Sequence, residues 1–141
     1  MPRITNINHI AIAVADIDGA LMFWRDALGL GVDHIEDVQS QKAVVAFLSC
    51  GKSEVELIKP AAEDTGVAKF LAERGGGIHH LCFEVDDIDA MLLQLKTKGV
   101  RLINETAMEL PGRKMAFVHP KSTGGVLVEL YQLTRTNPIA G

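Results

Sequence analysis

The sequence predicts an α+β fold made of two paired βαβββ modules, and an internal repeat carries this prediction. Residues 9–18 (HIAIAVADID) return 71 residues later as residues 80–89 (HLCFEVDDID), with five of ten positions identical. Residues 55–57 (VEL) return as residues 128–130, at an offset of 73. Because similar offsets join the start and the end of each half, the two halves are expected to share one architecture.

Length and composition fit a single domain of residues 1–141, with modules at about 5–62 and 76–133. Hydrophobic residues make up 48% of the chain, enough for a core, yet no window approaches a membrane span of roughly 18 apolar residues. The first residues lack the apolar stretch of a secretory signal, and a net charge of -4 with scattered cations argues against a nucleic-acid-binding surface. Cys50 and Cys82 both lie in apolar runs, so we predict two buried, reduced thiols and a cytoplasmic protein.

The first module begins with a strand at 7–14, in which apolar residues alternate. Asp16 is a candidate helix N-cap, and apolar residues at helical spacing predict a helix over 17–28 that ends before Gly29. Three segments rich in Val, Ile and Leu then predict strands. They cover about 30–38, 43–49 and 54–59, with breaks at 40–41 and 51–53.

A helix over 65–74, ended by three glycines at 75–77, is expected to link the modules. The second module repeats the order of the first, with a strand at 78–85 and a helix at 87–98. Further strands are predicted at about 100–104, 114–118 and 126–132, with a turn at 120–125 and a loose tail at 134–141.

Alternation along the first strand of each module separates a helix-covered side from the opposite side. The residues that suit the covered side are Ile10, Ile12 and Val14 in the first module, and Leu81, Phe83 and Val85 in the second. His9 and His80 point the other way, which places His79 on the covered side. Of the two adjacent histidines, His80 is therefore the better ligand candidate.

Each module carries one His near its start and one Glu near its end: His9 and Glu56 in the first, His80 and Glu129 in the second. Both carboxylates lie in apolar strands, where burial is costly unless the charge is paired or bound to a metal. Taken singly, such a His is usually a hydrogen-bonded core residue, and such a Glu usually faces water. The recurrence of both residue types at equivalent places favours a site for a divalent first-row ion, with positions left for water or substrate oxygens.

Three segments carry a resemblance to the vicinal oxygen chelate superfamily and, within it, to the methylmalonyl-CoA epimerases. They are NHIAIAVADID at 8–18, a stretch at 55–90 that includes GIHH, and FVHPKSTGGVLVELYQ at 117–132. The resemblance implies the glyoxalase/bleomycin resistance-like fold, a curved mixed sheet around a metal site. It also implies metal ligands at His9, Glu56, His80 and Glu129, with cobalt as the first candidate and zinc, manganese or nickel as alternatives.

The implied activity is interconversion of (R)- and (S)-methylmalonyl-CoA in propionate metabolism, by α-proton abstraction through a metal-stabilised enolate. The implied partners are this substrate and a second copy of the chain in a homodimer. Some bacterial relatives carry an additional Glu, proposed as a base, where this chain has Val45. Since Val45 cannot move a proton, Glu129, Glu56 or a metal-bound water remains, and Glu129 is our candidate for the catalytic base.

Two further residue sets have competing interpretations. Lys121 and Ser122 lie in the turn before the last strand and are candidates for contact with the CoA arm, although a solvated turn explains them equally well. The aspartates at 16, 18, 87 and 89 resemble a calcium site, but helix N-capping explains them better.

Two rival functions share the fold. Glyoxalase I (lactoylglutathione lyase) uses the same kind of quartet, but the HPKS turn at 119–122 argues against it. A metal-free small-molecule-binding protein of the resistance type needs no ligand quartet, so the presence of all four residues disfavours that class.

Overall fold

The computed structural model describes residues 1–134, which fall into two compact units. The middle unit comprises residues 9–80, and the outer unit comprises residues 1–8 together with the chain from residue 81 onward. The strands β1 (Ile4–Ala13) and β5 (Gly77–Val85) therefore contribute residues to both units. The sequence modules at 5–62 and 76–133 divide the chain differently and stay a prediction from the repeat. The expected tail at 134–141 lies outside the described residues, except for Thr134.

The middle unit contains the elements predicted for the first module and for the linker. Besides parts of β1 and β5, they are α1 (Ile17–Leu21), a π-helix (Met22–Ala27), β2 (Gly31–Val38), a 3-10 turn (Gln39–Gln41), β3 (Ala43–Cys50), β4 (Ser53–Pro60) and α2 (Gly66–Arg74). The strands follow the order β2-β3-β4-β1. Neighbours are antiparallel, except that β1 runs parallel to β4.

Side-chain caps fix where the helices of the middle unit begin. The Asp16 carboxylate accepts a hydrogen bond from the Gly19 N–H at 2.8 Å, which confirms the predicted N-cap of α1. Thr65 Oγ1 accepts one from the Ala68 N–H at 3.1 Å and caps α2. Gly75 ends α2 with a φ of 76°, a left-handed conformation that favours glycine.

The helix predicted over 17–28 is α-helical only in its first five residues. From Met22 onward the turns are π-helical, and the Leu28 N–H donates to the Phe23 carbonyl five residues back. A turn with hydrogen bonds to the fifth residue back shifts the side chains that follow it, and Leu28, which helical spacing places on the covered side, is 54% exposed.

Two apolar clusters hold the middle unit together. In the first, Ile17 and Leu21 of α1 pack on the fully buried Leu48 and Leu57, each of which contributes about 2 kcal/mol by its burial. Ile12 and Val14 join this cluster, which confirms them on the helix-covered side of β1. The second cluster comprises the buried residues Ala11, Ala43, Val45 and Ile58, with Val67 of α2 packed against them.

The outer unit contains the elements of the second module. Besides parts of β1 and β5, they are α3 (Ile88–Thr97), β6 (Met108–Leu110), β7 (Arg113–Val118), a 3-10 turn (Pro120–Ser122) and β8 (Leu127–Leu133). Their order is β5-β8-β7-β6, with β6 and β8 both antiparallel to β7. Asp87 caps α3 by accepting from the Ala90 N–H at 3.0 Å, so the N-cap interpretation of this aspartate is confirmed.

The helix-covered side of β5 is also as predicted. Phe83 and Val85 pack in a cluster with Ile88 and Leu92 of α3. Residues near the start of β1 complete the unit. The Thr5 hydroxyl donates to the Glu84 carbonyl of β5 at 3.2 Å, and the Arg3 N–H donates to Oδ1 of Asp86, just after β5, at 2.8 Å.

Two sequence predictions are wrong. The strand expected at 100–104 is absent from the described chain, where Leu102 forms only an isolated bridge with Val118. The second strand of the second module is β6, which reaches β7 through the two-residue turn Pro111–Gly112. Cys50 is exposed at the end of β3, whereas Cys82 is buried as expected, and neither forms a disulfide within residues 1–134. No helix among residues 1–134 is long and apolar enough to cross a bilayer.

Candidate active site

The middle unit brings three of the four expected ligands together. The parallel register pairs Ala11 with Glu56, and since alternate residues share a face, Glu56 lies on the same face as His9. His9 is only 3% exposed, and its Nε2 lies 3.2 Å from Nε2 of His80. The two rings meet at 82°, edge to face. Two imidazole nitrogens therefore converge on one point beside β1.

Glu56 contacts the other nitrogen of the same ring. Its Oε2 lies 3.4 Å from Nδ1 of His9, with side chains that are 14% and 4% exposed. A carboxylate in this position favours the tautomer with the proton on Nδ1, which leaves a lone pair on the Nε2 that faces His80.

His79 stands beside His80 but has different surroundings. Its ring packs edge to face on Phe70 of α2, with centroids 5.2 Å apart. Its Nδ1 lies 2.9 Å from Nδ1 of His80. The two nitrogens share one proton in a hydrogen bond, and when His80 donates, its Nε2 keeps a lone pair.

The fourth expected ligand, Glu129, lies on β8 in the outer unit. It is 5% exposed and stands opposite Phe117 of β7. The thiol of the fully buried Cys82 lies within 4.8 Å of its carboxylate. The apolar run around Cys82 predicts only a core residue and does not reveal this neighbour. The repeat carried the clue, because Cys82 aligns with Ala11 in the first copy.

Val45 provides no proton carrier. It is 2% exposed and stands opposite Ile58 of β4, on the face that Phe47 and Glu56 share. A titratable group occurs one strand further along this face, where His34 of β2 stacks on Phe47 with ring centroids 4.4 Å apart. A hydrogen bond with Asp33 raises the pKa of His34, and the nearby charge of Glu36 adds to this effect.

Lys121 and Ser122 lie in the 3-10 turn that precedes β8, as expected. Ser122 Oγ accepts a hydrogen bond from the Arg101 N–H at 2.9 Å, so this hydroxyl already holds the loop together. Lys121 is exposed, and its N–H donates to His119 Nδ1 at 3.0 Å. Burial lowers the pKa of His119, and the charges of Arg101 and Lys121 lower it further. The turn is therefore electropositive while His119 stays neutral.

The paired imidazoles fit a divalent ion. Two nitrogens bound to one ion at about 2.1 Å lie roughly 3.0–3.4 Å apart for ligand angles of about 90–110°. The Nε2 atoms of His9 and His80 are 3.2 Å apart, within this range. The same separation suits an N–H···N hydrogen bond in one tautomer. With carboxylates nearby, the donor set suits cobalt, zinc, nickel or manganese.

Comparison with known proteins gives consistent results. A sequence profile of the glyoxalase/bleomycin resistance protein/dioxygenase superfamily matches residues 8–117. The mitochondrial methylmalonyl-CoA epimerase of Mus musculus is 39% identical over 132 residues, which cover 92% of this chain and 74% of that protein. The ethylmalonyl-CoA/methylmalonyl-CoA epimerase of Cereibacter sphaeroides is 38% identical over 133 residues, covering 92% of this chain and 99% of that protein.

A solved structure is similar over the same extent. A variant of methylmalonyl-CoA epimerase from Streptomyces coelicolor, in complex with 2-nitronate-propionyl-CoA, superposes with a TM-score of 0.81. The sequences are 34% identical, and the match covers 94% of this chain and 96% of that one. The family match and this superposition confirm the fold class predicted from the repeat.

Proposed function

Because this chain belongs to the methylmalonyl-CoA epimerase family of the glyoxalase/bleomycin resistance protein/dioxygenase superfamily, we propose that it interconverts (R)- and (S)-methylmalonyl-CoA as a metal-dependent isomerase. The observation that carries this proposal is the convergence of His9 and His80, with their Nε2 atoms 3.2 Å apart, in a chain 38–39% identical to two proteins named as epimerases.

His9, Glu56, His80 and Glu129 are the proposed ligands of the ion. Support comes from the His9–His80 pair, from Glu56 on the same face as His9, and from the position of Glu129, which the repeat makes equivalent to Glu56. When bound, a divalent ion supplies a Lewis acid for the negative charge that develops on the thioester oxygen. Nitrogen and oxygen donors suit several first-row ions, with cobalt as our first candidate.

Glu129 is the proposed proton carrier. The α-proton of methylmalonyl-CoA lies between a thioester and a carboxylate, and epimerisation removes it from one face and returns one to the other. The buried carboxylate of Glu129 can accept that proton on an oxygen and release it again, which Val45 cannot do. A single carboxylate performs both transfers only if it reaches both faces of the α-carbon. If Glu129 reaches only one face, a second acid/base group must transfer the proton on the other.

Lys121 and Ser122 are the proposed contacts of the CoA arm. The exposed cation of Lys121, next to Arg101 and a neutral His119, supports attraction of an anionic carrier to this turn. Ser122 contributes by holding the turn in place through its bond with Arg101.

The test is α-proton exchange in deuterated water. We expect protein-dependent loss of the α-proton of methylmalonyl-CoA with formation of the second epimer, loss of activity after chelation, and recovery after addition of cobalt. Metal content is measured on the purified protein in parallel.

Two outcomes would contradict this proposal. Turnover of the hemithioacetal of glutathione and methylglyoxal, without exchange on methylmalonyl-CoA, would identify a lactoylglutathione lyase. Absence of bound metal and of both activities would identify a binding protein of the resistance type.

A further inference from the structure

A cationic side chain stands on the same face of the outer unit as Glu129. The antiparallel register places Phe117 opposite Glu129 and Met115 opposite Tyr131, with Arg113 opposite Leu133. Because alternate residues of a strand share a face, Arg113 lies on the Glu129 side of β7. The next residue, Lys114, points to the other side, where it pairs with Asp89 at 2.6 Å.

The guanidinium of Arg113 lies over an aromatic ring rather than beside a carboxylate. Its Cζ is 5.1 Å from the centroid of Tyr131, a cation–π contact. The Nε atom is buried and has no hydrogen-bond acceptor among residues 1–134. Within the same residues, no Asp or Glu forms an ion pair with Arg113.

This arrangement is costly unless an acceptor comes from outside residues 1–134. A buried N–H donor without an acceptor loses its hydration and gains nothing in return. The planar fork of an arginine matches the two oxygens of a carboxylate or a phosphate, and stacking on Tyr131 holds that fork in a fixed plane.

The position of Arg113 along β7 suits a ligand that also contacts Glu129. Tyr131 follows Glu129 by two residues, which places their Cα atoms about 7 Å apart along β8. A guanidinium above Tyr131 therefore lies within the length of an acyl-CoA whose reacting end is at Glu129.

We infer that Arg113 is a further binding residue, one that takes an oxyanion of the acyl-CoA substrate by a forked pair of hydrogen bonds. The inference rests on the proposed function. Two parts of the substrate offer this chemistry: the carboxylate of the acyl group and the phosphates of the CoA carrier.

The experiment measures dissociation constants by calorimetry for three probes: methylmalonyl-CoA, propionyl-CoA and CoA. The first carries carboxylate and phosphates, and the other two carry phosphates only. The proteins are the natural chain, Arg113→Gln, Arg113→Lys and the matched control Lys114→Gln, each checked by a thermal melt.

We expect Arg113→Gln to weaken binding by about 10–100-fold, the range for a charge-assisted hydrogen bond. A loss confined to methylmalonyl-CoA assigns the carboxylate, and an equal loss for all three probes assigns a phosphate. Arg113→Lys, which keeps the charge but not the fork, is expected to show a smaller loss for the same probes. Lys114→Gln is expected to bind all three normally.

Natural dissociation constants for all three probes in Arg113→Gln would overturn the inference. If that variant does not fold, natural constants in Arg113→Lys overturn it instead, because the fork is then not used. This failure is distinct from failure of the proposed function, which is decided by the exchange activity of the natural chain alone.

Discussion

Glu129 and Glu56 hold equivalent places in the repeat, but their surroundings differ. Glu129 is buried beside Cys82, whereas Glu56 lies against Nδ1 of His9. The roles proposed for the two carboxylates can therefore be tested by replacing each one separately.

We expect Glu129→Gln to lower the exchange rate at least 100-fold while metal stays bound. The amide keeps an oxygen near the ion but cannot carry the proton, and general acid–base catalysis contributes about 10²–10⁴-fold. Glu56→Gln is expected to be milder, because the resemblance tolerates Gln at that position. Metal content is measured beside the exchange rate, since loss of metal would imitate loss of the base. An active, metal-loaded Glu129→Gln enzyme would rule out Glu129 as the proton carrier.

The neighbouring histidines provide a second test at this scale. We expect His80→Ala to abolish metal retention, because it removes an imidazole whose Nε2 faces that of His9 at 3.2 Å. His79→Ala is expected to retain metal, with affinity weakened by at most about 10–100-fold, the usual effect of losing a group that orients a ligand. The stability of His79→Ala is expected to fall, since its ring packs on Phe70. Equilibrium dialysis with cobalt gives the affinities, and the reverse ranking would contradict the strand phase.

A sequence pattern can predict functional residues that recur in a repeat. It cannot predict residues whose function depends on contacts with side chains of other strands. The His/Glu pairs were predictable because each appears twice at a fixed offset. Cys82 stands where the first copy has Ala11, and the contacts of Cys82 with Glu129 and of Arg113 with Tyr131 appear only in the structure. Such contacts join β8 to its two sheet neighbours, and no spacing within one strand reports them.

At the scale of elements, two glycines near helix N-termini are expected to respond in opposite ways to alanine. At Gly19 a Cβ would lie 2.9 Å from Asp16 Oδ2, the atom that caps α1, whereas at Gly66 nothing lies within 4 Å. We expect Gly66→Ala to raise the free energy of unfolding by about 0.5 kcal/mol, through the lower entropy of the unfolded chain. Gly19→Ala is expected to lower it by a similar amount, because loss of a cap costs about 1 kcal/mol.

Urea denaturation measures both changes, and Asp16→Ala is the control background. Once the cap is absent, Gly19→Ala has no carboxylate to displace and is expected to stabilise the protein as Gly66→Ala does. A destabilising Gly19→Ala in that background would show that the cap is not the cause.

Helices and strands were predictable where a local sequence feature fits only one structure. They were not predictable where the same apolar pattern fits two structures. Asp16 and Asp87 begin their helices as expected because an N-cap side chain is a local feature. The segment at 100–104 has the apolar pattern of a strand, yet it packs Val100 and Leu102 into the core while making only one bridge. The true edge strand, β6, was detectable only through the Pro111–Gly112 turn beside it, because it is three residues long.

At the scale of the whole molecule, we expect a homodimer. The family resemblance implies this assembly, and apolar side chains on the π-helix, including Met22 and Phe23, are more than half exposed. Sedimentation at micromolar concentration is expected to give twice the chain mass of 15.3 kDa. A species of about 15 kDa across that concentration range would contradict the expectation.

The division of the chain after Asn8 and His80 has a consequence for how the protein is made. Residues 9–80 are contiguous, so the middle unit is synthesised in full before β6, β7 and β8 of the outer unit. The first eight residues must wait, because their partners on β5 and at Asp86 just after it lie 76 to 83 positions away. Closing so long a loop is slow relative to forming the β3–β4 hairpin. In pulse-labelled hydrogen exchange we expect 43–60 to gain protection before the Arg3 amide, so residues 1–8 fold later than strands that are synthesised after them.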